Sequence, residues 1–190
     1  NEEHVQIALK CIRAKKHVLI EKPMAPSFTE TTELIEVAKF NNTLLVSSWV
    51  FMYATYIDNF IMHIKDLGDI KEVHFSWTDE FEASRYGERK SFDPAVPIFR
   101  DVLPHVMSIL SKVLESHSFE FNSCKVSRGG SCVDILVSTS NIKCYLQLER
   151  NAEMRMKRMT IRLAMRVNIF ISRNKAVEVL YMKISPSMTP

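Results

Sequence analysis

The chain has 190 residues, 46% hydrophobic and 25% charged, with a net charge of +3, and its mean hydropathy is −0.05. This is the composition of an ordinary globular protein, long enough for one large domain or for one domain and part of another. No apolar run reaches the length of a membrane span and the first residues form no signal peptide, so a cytoplasmic protein with no membrane partner is expected. The opening Asn1, in place of Met, reads as the start of a fragment or a processed product. Cys11, Cys124, Cys132 and Cys144 form no C-x-x-C and meet no histidine cluster, which predicts reduced thiols and no metal site. Cys124 and Cys132 could still face each other across a hairpin. The four glycines Gly68, Gly87, Gly129 and Gly130 make neither a G-x-G-x-x-G nor a P-loop, so no phosphate cradle is predicted.

Val5, Ala8, Leu9 and Ile12 recur at helical spacing and predict a helix over 3–13, closed by Lys15-Lys16. Val18–Glu21 is a short buried strand. Ser27-Phe28-Thr29-Glu30 is a capping box, opening a helix that buries Leu34, Ile35 and Ala38 and stops at Asn41-Asn42. Thr43–Val50 is a second strand. Helix and strand alternating through short loops describe βαβ units of a parallel sheet. Two strands are too few for such a sheet, so residues 1–52 are expected to be the C-terminal remnant of a doubly wound Rossmann domain.

The pattern changes over 53–190. A helix over 54–67, with Ile57, Phe60, Ile61 and Ile64 on one face, ends at Gly68, and Val73, Phe75 and Trp77 alternate as a half-buried strand. Residues 83–99 are expected to form a long irregular connection. A helix over 101–115 turns Leu103, Val106, Leu110 and Val113 inward, with Pro104 tolerated in its first turn. Strands follow over 119–126 and 133–137 around a Gly129-Gly130 turn, then over 142–149, then along Met159–Ile171, apolar at every second position, and finally over 177–184. These elements predict an α+β unit with a large, mostly antiparallel sheet and one open face. Between Arg150 and Lys175, eight basic residues stand against Glu153 alone. The alternation assigns them to the solvated face of a strand. Phe170 is the single aromatic among them, too few for a row of stacked bases, so no nucleic-acid partner is expected.

Lys22, in Glu21-Lys22-Pro23, follows a buried strand at the edge where open α/β sheets gather ligands. A surface lysine is the plainer reading. Asp101 and His105, four residues apart, share one helix face. An imidazole with an ordinary pKa near ~6.5 is the natural proton acceptor at neutral pH. A helix cap and a core histidine are the plain alternatives.

Three stretches resemble the Gfo/Idh/MocA oxidoreductases, the glucose–fructose oxidoreductase and inositol dehydrogenase group. Asn1-Glu2-Glu3-His4 with Ala14–Pro23 is similar to the family's N-x-x-H … A-G-K-H-V-L-x-E-K-P segment. Asp66–Val73 resembles its G-x-L-G-x-I-x-x-V turn, and Asp101–Leu110 its D-x-G-x-H helix. Lys15 and Leu103 stand where the family has glycine. The resemblance implies hydride transfer between NAD or NADP and a carbinol carbon of a sugar or polyol. It implies that Lys22 contacts the nicotinamide ribose and the substrate hydroxyl, that His105 moves the hydroxyl proton, and that Asp101 holds the substrate. Asn1, His4, Glu21 and Pro23 would border the nicotinamide half of the cofactor. A homo-oligomer through the open sheet face is implied as well. The alternative is a non-catalytic dimerisation or ligand-binding remnant of the same fold. If these 190 residues are the whole product, no dehydrogenase activity is expected, and turnover with nicotinamide cofactor and a sugar panel would contradict that.

Overall fold

The computed structural model describes residues 2–81, 84–85, 87–89, 96–164, 167–174 and 177–184. The chain divides into two compact units, Asn1–Tyr53 and Ala54–Pro190.

The first unit runs α1 (Glu2–Arg13), β1 (Val18–Ile20), α2 (Phe28–Phe40) and β2 (Leu45–Ser47), and closes on a 3-10 turn over Val50–Tyr53. The predicted second strand is thus cut short. β1 and β2 pair in parallel, with Leu19 opposite Val46. Val5, Ala8, Leu9 and Ile12 of α1 meet Leu34 and Ala38 of α2 and Ile20 of β1 in one core. Ile35, expected inside, is instead 38% exposed. Leu19 and Val46, on the other face of the strand pair, are exposed. The capping box forms: the Glu30 N–H donates to Ser27 Oγ at 3.2 Å, and the Ser27 hydroxyl donates to Glu30 Oε2 at 2.6 Å. His17 joins the two strands, since its Nδ1 accepts from the Leu44 N–H at 3.0 Å.

Helix ends follow one rule. Lys15 takes φ 58° while its N–H reaches the Ile12 carbonyl and the Lys16 N–H reaches that of Cys11. Asn42 repeats this at the end of α2, with φ 53° and bonds from Asn42 to Lys39 and from Thr43 to Ala38. Both are left-handed closures in which two late carbonyls of the helix find donors. Lys15 therefore occupies a position that glycine fills without steric cost.

The second unit carries α3 (Thr55–Ile64), β3 (Ile70–Glu80), a small hairpin of β4 (Ser84–Arg85) and β5 (Glu88–Arg89), and α4 (Ile98–Val113). Then come β6 (Glu120–Ser127), β7 (Cys132–Thr139), β8 (Ile142–Ala152), β9 (Met156–Leu163), β10 (Val167–Asn174) and β11 (Val177–Ile184). Seven of these strands form one sheet in the order β11-β10-β9-β3-β8-β7-β6. Only β3 and β8 pair in parallel; their sheet neighbours run antiparallel. The sheet is mixed and mostly antiparallel, as the sequence pattern predicts.

Strand alternation divides this sheet into a dry and a wet face. Val73, Phe75 and Trp77 of β3, Val133, Ile135 and Val137 of β7, Cys144, Leu146 and Leu148 of β8, and Met159, Ile161 and Leu163 of β9 are all buried. On α4, Ile98, Val102, Val106, Ile109, Leu110 and Val113 are buried too, so Val102 takes the inward place expected of Leu103. Each such aliphatic side chain stabilises the fold by roughly 1.5–3 kcal/mol when fully withdrawn from water.

Four further readings need correction. The long apolar alternation through Met159–Ile171 is two strands rather than one: β9 and β10 fold back as an antiparallel hairpin, pairing Ile161 with Ile169. Met165 and Arg166, between the two strands in sequence, lie outside the described residues, as does Lys175. A period-2 pattern looks the same on both arms of a hairpin when the residues between them keep the phase. Helix α4 starts at Ile98, inside the stretch expected to be irregular, so Pro104 is not in its first turn but is the seventh helical residue. There it has no N–H to offer the Arg100 carbonyl. Cys124 pairs in register with Ile135, and Cys132 with Ser127, so the two thiols do not face each other; all four cysteines are free. Burial pushes the Cys144 thiol up to about 11, keeping it protonated. The fourth correction concerns Arg150 and belongs to the site.

Replacing Lys15 by glycine removes the left-handed penalty of a β-carbon at the end of α1. It should stabilise the protein by about 0.5–1 kcal/mol, the steric gain being partly offset by the freer unfolded chain. Denaturant unfolding of the two proteins side by side checks this.

Candidate functional site

The first unit presents the carboxyl ends of two parallel strands. Glu21, Lys22 and Pro23 follow β1 directly, with a cis Lys22–Pro23 peptide. Lys22 and Pro23 are half-buried, whereas Glu21 is exposed. Ser47 ends β2 and is 8% exposed. Because α1 runs back into β1 through a four-residue turn, its N-terminal turn, which carries His4, lies at this same edge. Asn1 lies outside the described residues. His4 Nδ1 and Ser47 Oγ are buried and, among the described residues, make no hydrogen bond. Buried polar atoms left unmatched are costly. This edge therefore has unspent hydrogen-bonding capacity that suits a polar ligand. Ser47 was not singled out from the sequence. Its only signal there is a small polar residue ending a predicted strand.

The second unit builds its constellation at the far end of the dry sheet face, beyond the apolar stripe. Trp77 of β3 is 5% exposed, and the His105 ring lies parallel to it at 5.9 Å between centroids and 8° between planes. The Lys157 ammonium, from the register partner of Trp77 on β9, sits 3.7 Å from the indole centroid. Such a cation is attracted by the ring's electron-rich face. The His105 carbonyl accepts from the Ser108 hydroxyl at 2.7 Å.

Asp101, one turn before His105, is held by Arg150 of β8, whose Nη2 lies 3.4 Å from Asp101 Oδ2. Arg150 Nη1 donates to the Val96 carbonyl at 2.7 Å, just ahead of α4. The side chain of Arg150 is only 11% exposed. The expectation that this arginine belongs to a solvated strand face is thus overturned. β8 continues its inward alternation Cys144, Leu146, Leu148 to Arg150, where the apolar stripe gives way to polar groups. Asp79, 3% exposed, is the register partner of Arg150 on β3. The connection from β8 to β9 is fastened to β3 as well: the Thr78 hydroxyl donates to the Met154 carbonyl at 2.6 Å, and the Arg155 N–H to Glu80 Oε1 at 3.0 Å.

The wet face of the sheet carries a second polar group. His74 stacks on Tyr145 at 4.7 Å and 12°, and Glu72 binds both His74 and Arg162. Beside them, Ser76, Gln147, Asp134 and Lys125 help line an open concavity of about 510 Å³. Among the described residues no group of three metal-ligating side chains occurs, and no helix is long and apolar enough to cross a membrane.

A parallel α/β unit followed by a helix-backed, mostly antiparallel sheet defines a fold class, and comparison with known proteins narrows it. Residues 1–48 match the family of Gfo/Idh/MocA oxidoreductases, described as an oxidoreductase family with an NAD-binding Rossmann fold. A scyllo-inositol 2-dehydrogenase (NADP(+)), IolU, of Bacillus subtilis is 31% identical over 93 residues, covering 46% of this chain and 27% of that protein. Two crystal structures share the fold at 16% identity. A mutant of KijD10, a 3-ketoreductase from Actinomadura kijaniata in complex with TDP-benzene and NADP, gives a TM-score of 0.77 over 96% of this chain and 58% of its own. An inositol dehydrogenase homologue from Azotobacter vinelandii, complexed with NADH and myo-inositol, gives 0.72 over 97% and 54%. The family match covers the first 48 residues, and the chain spans little more than half the length of these structures.

Arg162 holds the Glu72 carboxyl below its ordinary value of 4.5, with His74 adding to the effect and partial burial opposing it. A depressed carboxylate stabilises the fold above its unfolded pKa, and that contribution is lost as pH falls through the folded value. Arg162→Met should therefore lower the melting temperature at pH 7 and flatten its fall on acidification to about pH 3. Thermal melts at the two pH values measure both effects.

Proposed function

We propose that this chain carries the substrate domain and the C-terminal part of the cofactor domain of an NAD(P)-dependent oxidoreductase. Its reaction is hydride transfer between nicotinamide and the carbinol carbon of a sugar or polyol. The observation that carries the reading is the His105–Trp77 stack beside the Arg150-bound Asp101, in a chain whose first 48 residues match an NAD-binding family. The inositol and ketoreductase relatives support the substrate class.

The nicotinamide, when bound, supplies the two-electron carrier. Lys22 supplies positive charge beside the substrate oxygen, where negative charge grows as the proton leaves. His105 takes that proton, or returns it in the reverse direction, as a general base positioned by its stack on Trp77. Asp101 accepts a hydrogen bond from a second substrate hydroxyl. His4, Glu21 and Pro23, with Asn1, border the nicotinamide half of the cofactor, and Ser47 joins them through its unmatched hydroxyl. The open sheet face serves a second copy of the chain.

In the enzyme with its complete cofactor domain, His105→Ala should lower kcat by about 10²–10⁴, the usual contribution of a general base, with cofactor affinity unchanged. Lys22→Ala should weaken both. Steady-state kinetics over a panel of sugars and cyclitols, with cofactor binding followed by fluorescence, separates these outcomes. Full turnover by the His105 variant would refute the assignment.

A further inference from the structure

Arg150 has no role in the proposed chemistry, yet it is closely held within the second unit. Its guanidinium lies in a position 11% open to solvent, with Nη1 on the Val96 carbonyl and Nη2 on Asp101. Its strand places it opposite Asp79, a carboxylate 3% exposed, on the same face of the sheet. A buried guanidinium requires charge compensation and hydrogen-bond acceptors; Asp101 supplies a carboxylate and Val96 a carbonyl here, with Asp79 opposite in the strand register. The planar fork of arginine suits this task in a way the point charge of lysine does not.

We propose that Arg150 is the positioning residue of this site: it anchors the head of α4 to the sheet, fixes the Asp101 carboxylate, and balances the charge facing His105. The proposal rests on the reading of Asp101 and His105 as the reacting pair, and it deepens that reading.

The groups around His105 come from each element packed on it. Asp101 lies on its own helix, Asp79 and Trp77 on β3, Arg150 on β8 and Lys157 on β9. Lys112, at the other end of α4, is paired with Asp58 of α3 at 2.6 Å. With Arg150 in place, the charge of Asp101, one helical turn from the imidazole, is offset by the guanidinium. Without Arg150, an uncompensated carboxylate one helical turn away would favour the imidazolium and would be free to rotate off its line. A proton acceptor that is already protonated cannot take the substrate proton. Arg150 thus keeps the pair ready for the oxidative direction without touching the substrate.

The test is a titration of the His105 ring, read by long-range ¹H–¹⁵N correlation on the full 190-residue chain, without cofactor or substrate. Arg150→Met should raise the His105 midpoint by about half a unit or more, Asp101→Asn should lower it, and the double variant should return it near its starting point. Opposite shifts that cancel are not produced by a residue acting only through packing. If Arg150→Met does not fold, Arg150→Gln, which keeps a donor for the Val96 carbonyl, carries the same expectation. A midpoint unmoved by loss of the arginine charge overturns the proposal, as does movement in the same direction for Arg150 and Asp101 variants. Kinetics on the complete enzyme then separate this proposal from the reading beneath it. If His105→Ala leaves turnover intact, the reacting-pair assignment fails whatever the titration shows. If His105→Ala abolishes turnover while Arg150→Met changes neither kcat nor the midpoint, only the role of Arg150 fails.

Discussion

The second unit depends on the packing of one apolar stripe of α4 against one face of a seven-stranded sheet. Ile98, Val102, Val106, Ile109, Leu110 and Val113 on the helix, with Val73, Phe75, Leu146 and Leu148 on the central strands, are withdrawn from water together. The strands alternate strictly, so whatever continues the inward series past the apolar residues is delivered to the head of the helix. On β3 that is Trp77 and then Asp79; on β8 it is Arg150; on β9 it is Lys157. The polar cluster around Asp101 and His105 is a consequence of the register. It sits on regular elements, which hold side chains more firmly than loops do.

The first unit works by a different constraint. Parallel strands end together, and the chain leaves each strand at one edge. Lys22 after β1, Ser47 at the end of β2 and His4 at the head of α1 are gathered there by topology. The left-handed closures at Lys15 and Asn42 turn the helices back toward the strands without glycine. The NAD-binding family match covers this unit, and its exposed Leu19–Val46 pair contrasts with the two-sided burial usual for parallel strands.

Much of this was legible in one dimension because helical and strand periods are local properties. The stripe Val5, Ala8, Leu9, Ile12 and the capping box at Ser27 specify their helices with no knowledge of what they pack on. The last strand, over 177–184, needed nothing beyond its own alternation. The start of α4 was misplaced because Pro104 resembles a first-turn residue, whereas Ile98 and Val102 extend the buried stripe one turn earlier. The β9–β10 hairpin was read as one strand because the apolar residues keep the same parity along the sequence from Met159 to Ile171.

What the sequence determined by itself was the resemblance to a family, the order of helices and strands, and the pairing of Asp101 with His105 on one helix face, since these depend on residue identity and spacing along the chain. What only the tertiary structure decided was the company those two residues keep. Trp77 is 28 positions before His105, and Arg150 is 49 positions beyond Asp101. In sequence, Arg150 is one of eight basic residues with nothing to set it apart. The parallel pairing of β8 with β3 buries it opposite Asp79 and within reach of Asp101, because register, a property of two strands, decides which face of a sheet each side chain meets.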